Sequence, residues 1–221
     1  MSQPSSESPS ATRAFHAKHG FKSLAIIVIL VVIALPSIIL FSRCGKSREA
    51  ARRELASKGI PYTELEFADR VRRHDIEAVR LFLAAEINPD ARDHEGATVL
   101  TVAVLANDES VIASLLNNGA DPNAKDAKGS TALNVALLIG NYESARLLVR
   151  KGADVNASNN EGETPLMIAA LKGYPENVKL LLEAGARLDV KDKRGETPLM
   201  HAMERNHAEV VRLLKDAGAQ E

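Results

Sequence analysis

Apolar pairs return along the C-terminal part of the chain every 33 residues: Leu115-Leu116, Leu148-Val149, Leu181-Leu182, and then Leu214 beside Lys215. After two intervening residues each pair is followed by Gly-Ala, at Gly119-Ala120, Gly152-Ala153, Gly185-Ala186 and Gly218-Ala219. A second series keeps the same period. Thr98, Thr131, Thr164 and Thr197 recur in phase, and the words Gly-Glu-Thr-Pro-Leu-Met stand at 162–167 and again at 195–200. Self-similarity at a fixed period of this length is the mark of a repeat architecture, in which each unit buries its apolar face only by stacking on its neighbours.

Within a unit the pattern predicts two short helices and a loop. A threonine hydroxyl can hold a backbone N–H left unpaired at a helix start, and proline is tolerated at the first helical position, so Thr164-Pro165 and Thr197-Pro198 open the first helix. Gly119, Gly152, Gly185 and Gly218 follow the apolar runs where a chain leaving a helix turns left-handed, and they close the second helix. Between units, stretches such as Asp121-Pro122-Asn123-Ala124-Lys125-Asp126-Ala127-Lys128-Gly129 carry turn chemistry and predict loops or hairpins.

These residues together resemble the ankyrin repeat, whose signature is a Thr-Pro-Leu-His-x-Ala helix start in a 33-residue unit. The resemblance covers roughly residues 65–221 and departs from the pattern at the histidine, replaced by Thr101, Asn134, Met167 and Met200, with His201 one residue off. It implies an all-α solenoid of units 65–97 (degenerate), 98–130, 131–163, 164–196 and 197–221. In the degenerate unit the phase puts Leu65 at the threonine position, His74-Asp75 at the turn between helices and Glu86 at the helix-stop glycine. Thr63-Glu64-Leu65-Glu66 has the form of a capping box. Atypical end units suit a solenoid that must close its core, and Lys215 does the same at the other end.

The resemblance also implies a concave surface that binds proteins. The two positions ending each first helix should face it, and they read Leu105-Ala106, Leu138-Ile139, Leu171-Lys172 and Glu204-Arg205. Leu105, Leu138, Ile139 and Leu171 would form an apolar stripe, the kind of exposed patch that marks an interaction site, unless they tuck between repeats. Loop tips beside it bring Lys125, Lys128, Lys191, Lys193 and Arg194, together with Glu161 and Glu163.

A different pattern precedes the repeats. Residues 1–22 are Ser- and Pro-rich at their start and predict a disordered tail. Residues 23–42 carry no charge between Lys22 and Arg43, and such a run spans roughly 30 Å as a helix, enough to cross a bilayer. It is longer than the apolar region of a secretory signal, and Arg43 before Cys44 does not suit a lipoprotein cleavage site. A transmembrane anchor is therefore expected, with Pro36 tolerated inside it. Three basic residues precede the run (Arg13, Lys18, Lys22) and five follow closely (Arg43, Lys46, Arg48, Arg52, Arg53), which leans to a cytoplasmic repeat domain, or a periplasmic one if the source is bacterial. Residues 43–62 read as a basic juxtamembrane helix and linker, either touching anionic head groups or standing as a solvated stalk. Cys44 could be acylated there or be a bystander.

Composition narrows the chemistry. Residues 1–64 carry nine Lys/Arg against four Asp/Glu, whereas 65–221 carry 19 against 25, so the repeat region lacks the basic footprint that nucleic acid requires. One cysteine excludes an intrachain disulfide framework, and no tryptophan and few aromatics argue against a base-stacking platform. Gly45-Lys46-Ser47 lacks the earlier glycine of a phosphate loop. His16, His19, His201 and His207 have no second ligand set at metal spacing. Asp93, Asp126, Asn159 and Asp192 share the 33-residue period and so read as turn formers. Asn156-Ala157-Ser158 matches a glycosylation acceptor, yet Asn156 is periodic with Asn123.

The sequence thus leads to a membrane-tethered interaction or scaffold module, with no catalysis, cofactor or metal expected. It would bind a partner protein through its repeats and the bilayer through residues 23–42. The rival reading is an inhibitory or protective accessory subunit of a membrane or periplasmic enzyme, which capture of one stoichiometric enzyme would favour. A cryptic enzyme would need convergent titratable groups that the sequence does not offer.

Overall fold

The computed structural model describes residues 47–220. The predicted tail (1–22), the apolar run 23–42 and Cys44 lie outside them. Among the described residues no helix is long and apolar enough to cross a membrane. The chain divides into units 1–48 and 49–221, and the repeats lie in the second.

Ten helices pair off in order after an opening helix α1, residues 47–57. The pairs are α2 (Glu64–Arg72) with α3 (Ile76–Ala84), α4 (Val99–Leu105) with α5 (Glu109–Asn117), and α6 (Ala132–Leu138) with α7 (Tyr142–Arg150). They continue as α8 (Pro165–Lys172) with α9 (Pro175–Glu183), and α10 (Pro198–Glu204) with α11 (Ala208–Asp216). First helices pack on first helices, α2 through α10, and second helices on second helices, α3 through α11. At seven to nine residues apiece, none would be stable alone in water; each is held by burying one face against the next pair.

The helix starts follow the capping chemistry. Thr98, Thr131, Thr164 and Thr197 accept the N–H three residues on at 3.2–3.4 Å, with Pro165 and Pro198 at the first helical position. The helix-stop glycines adopt left-handed φ, from 86° to 97°. Between units no strands form among the described residues beyond one antiparallel bridge, Arg92 with Thr98. Each hairpin closes instead on the periodic Asx residue. Asp126 Oδ1, for example, accepts the N–H groups of Lys128 and Ser130 at 2.8 Å, and Asp192 does the same for Arg194 and Glu196 at 2.9 Å. These aspartates are turn formers, as their period implies.

Two features at the N-terminal end depart from the repeat phase. Thr63, not Leu65, caps α2, so the helix begins two residues early and Leu65 is exposed. The reason is chemical: leucine has no acceptor to offer, and Thr63 Oγ1 takes the Glu66 N–H at 3.2 Å. Only half of the expected capping box is made, because the Glu66 carboxylate turns to Arg70 at 2.7 Å.

The second feature is α1. Residues 49–62, which the sequence presents as part of a linker, lie in the same compact unit as the repeats, with Ala51, Leu55 and Ile60 buried in the common core. Gly59, at φ 69°, ends α1 as the other glycines end the second helices. Tyr62 stacks on Phe82 at 5.8 Å, Phe82 meets Phe67 at 5.3 Å, and Arg52 lies 4.4 Å over the Tyr62 ring. α1 therefore belongs to the core of the repeat unit, and Lys58 just beyond it pairs with Glu77 of α3 at 2.9 Å.

Candidate functional site

The last turn of each first helix places the predicted stripe. Leu105 is 57% exposed, Leu138 51% and Ile139 43%, each on a helix packed against the next. Leu105 and Leu138 each lie one residue from fully buried Val104 and Leu137. Leu171 differs. It is half-buried, and its carbonyl accepts from His207 Nε2 at 3.1 Å, so that repeat ties its helix end to the next one. On α10 the row ends in exposed Met203, Glu204 and Arg205. The repeat register gives no sign of Met203 as a surface residue, since its equivalents Val104, Leu137 and Ala170 are all buried.

The five cations are exposed, but they are not equivalent. Lys125 Nζ donates to the Ser158 carbonyl at 2.8 Å, and Arg92 donates to the Lys125 carbonyl at 2.8 Å, so both tie one hairpin to the next. Lys193 lies 3.9 Å from Glu161. Arg194 pairs with Glu196 at 2.7 Å. Lys128 gives its N–H to Asp126, and its carbonyl accepts the Asn160 N–H at 2.9 Å. Lys191 borders a hollow at the C-terminal end with Leu188 and Met200.

The turns between helices form a third row. Residues 74, 107, 140, 173 and 206 all have left-handed φ, as His, Asn, Gly, Gly and Asn. The first four are each met by the cap of the next repeat's second helix. His74 Nδ1 lies 3.2 Å from Asp108, Asn141 donates to Asn107, the Tyr174 ring lies on Gly140, and the His207 ring lies on Gly173.

One group among the described residues has metal-ligand spacing: Asp192, Glu196 and His201. His201 Nε2 is 3.1 Å from Asp192 Oδ2 and its Nδ1 is 3.8 Å from Glu196, both His201 and Asp192 being buried. Arg194 already brings a guanidinium to 3.5 Å from Asp192 and 2.7 Å from Glu196, so the carboxylates have their cation. Burial pushes the Asp192 carboxyl up, but the N–H groups of Glu196 and Arg194, with His201 beside them, outweigh it and hold it below the usual range. The cluster locks the last hairpin to α10.

The family model for ankyrin repeats (three copies) matches residues 68–159, 107–192 and 152–221, well over half of the chain. The chain belongs to the ankyrin repeat family. No curated protein matches it. The family histidine position is filled here by local pairs: Thr101 Oγ1 lies 3.0 Å from Thr98 Oγ1, and Asn134 Oδ1 accepts from Thr131 Oγ1 at 2.7 Å. Ankyrin repeats generally bind partner proteins, and domains of this kind are typically non-catalytic. Asn156, in its glycosylation-like triplet, spends its amide on the stack, accepting the Arg187 N–H at 2.8 Å as Asn123 accepts that of Asp154 at 2.7 Å.

Proposed function

We propose that this ankyrin repeat protein is a membrane-tethered interaction module, which holds a partner protein on the stripe formed by Leu105, Leu138 and Ile139 and on the loop-tip cations. The observation that carries this is the exposure of those side chains on consecutive packed helices, since contiguous apolar surface left in water tends to mark a binding site. Lys128, Lys191, Lys193 and Arg194 would steer and orient the partner more than they would add affinity. Leu171 lies at the stripe's edge and contributes less of its surface. The charge-free run 23–42 supports tethering to a bilayer, with the more basic flank at 43–53 on the cytoplasmic side.

The test is capture from detergent-solubilised membranes with the full chain as bait. Leu138→Ser combined with Ile139→Ser should abolish capture while leaving the unfolding free energy within about 1 kcal/mol of wild type, as expected for surface positions. Unfolding of the variant would show these side chains to be core, and undiminished capture would place the partner elsewhere.

A further inference from the structure

The third residue of each second helix is buried in every repeat, and from α3 to α11 it reads Ala78, Val111, Ser144, Asn177 and Val210. Alanine or valine serves in three of the repeats, so the architecture does not call for a polar group there. The third and fourth repeats each carry one all the same, on α7 and α9, which pack against each other. Among the described residues Ser144 Oγ and Asn177 Oδ1 are buried without a hydrogen-bond partner, and so is Asn134 Nδ2 on α6 of the third repeat. Glu196 Oε2, also without a hydrogen bond, has the Arg194 guanidinium at 2.7 Å. The start of α9 is weak as well. Asp75, Asp108 and Asn141 cap α3, α5 and α7 with a side-chain oxygen, but Tyr174 makes no such bond to α9, nor does His207 to α11.

A polar atom buried without a partner gives up its bonds to water on folding and regains none, so local opening, which lets water return, is favoured at that place. In a stack where each repeat touches only its neighbours, such a deficit is felt where it arises. We propose that the contact between α7 and α9 is a built-in joint, at which the third and fourth repeats part locally while the rest of the stack stays folded. It is an interior junction, with a repeat on either side, and so is distinct from the ordinary fraying of chain ends. The row proposed as the partner site crosses it: Leu138 and Ile139 close α6 in the third repeat, and Leu171 lies on α8 in the fourth. Opening therefore changes the spacing of that row, a consequence that rests on the proposed partner site, whereas the joint itself does not.

Hydrogen exchange of the full 221-residue chain in a mild non-ionic detergent, read helix by helix by mass spectrometry, tests the joint. In the wild type the amides of α7 and α9 should exchange at least about tenfold faster than those of α5, which has Val111 at the same position. Ser144→Val combined with Asn177→Val should slow α7 and α9 at least about tenfold and leave α3 unchanged. Valine, serine and asparagine have similar helix propensity, so that slowing reports the removed polar groups. Ser144→Ala, which adds no atom to the core, should slow α7 as well and carries the test if the valines do not fit. Equal exchange in α5, α7 and α9, no slowing in the substituted chains, or slowing spread evenly from α3 to α11 would each overturn the joint. None of these readings depends on capture of a partner, so the partner site can fail while the joint stands.

Discussion

Asp75, Asp108 and Asp192 are each held below the ordinary carboxylate range, and the causes lie in capping and turn geometry. The Ala78 N–H lowers Asp75, with Arg70 adding to it against desolvation. At Asp108 burial would raise the group, but the Val111 N–H, the Ser110 hydroxyl and His74 outweigh that. A carboxylate whose folded pKa lies below its unfolded value of about 3.9 stabilises the fold above that pH, and the gain is lost as pH falls toward the folded value. Stability in urea should therefore hold from neutral pH down to about 5 and fall below about 4. Asp108→Asn, which keeps a capping oxygen, should flatten that acid limb. Glycine makes a second local test. Gly140 and Gly119 both have left-handed φ, 74° and 90°, yet a Cβ at 140 would lie 2.7 Å from Tyr174 Cζ, whereas at 119 it would meet nothing within 4 Å. Alanine at either costs about 1–2 kcal/mol through the backbone. Gly140→Ala should cost measurably more in chemical denaturation than Gly119→Ala, and Tyr174→Ala should narrow the gap.

Helix by helix, the caps, the helix-stop glycines and the hairpin Asx residues are legible in the sequence because each depends on chemistry within a few residues of chain, repeated four times. The first unit falls out of phase where that chemistry moves: Thr63 caps and Leu65 does not. α1 has the composition of a stalk because its charged residues dominate, while the two or three apolar residues that bury it carry little periodic signal. Its contribution can be measured. Leu55 and Leu181 are both fully buried, one in α1 and one in α9. Leu→Ala at either should cost about 2–5 kcal/mol, as for buried leucines generally. A solvated α1 would instead give Leu55→Ala a loss well under about 1 kcal/mol, the range of surface substitutions.

For the whole molecule, tethering is open to direct measurement. The full chain should sediment with membranes and be released by detergent. Cys44, the single thiol, lies just beyond the apolar run on the repeat side. It should resist a membrane-impermeant maleimide in intact cells and react after permeabilisation if the repeats are cytoplasmic. Labelling of intact cells would reverse that orientation. The 33-residue period by itself determines the architecture of the repeats, because in a solenoid each unit contacts only its neighbours and the same local solution is written again and again. Burial at the ends and edges of the stack is decided by tertiary structure alone. Met167 and Met200 occupy the same word of the repeat, and one is core while the other is surface, because only the first has a repeat stacked on it. In the same way Leu138 and Leu137 are adjacent and equally apolar, but the direction each takes from its helix puts one in water and the other in the core.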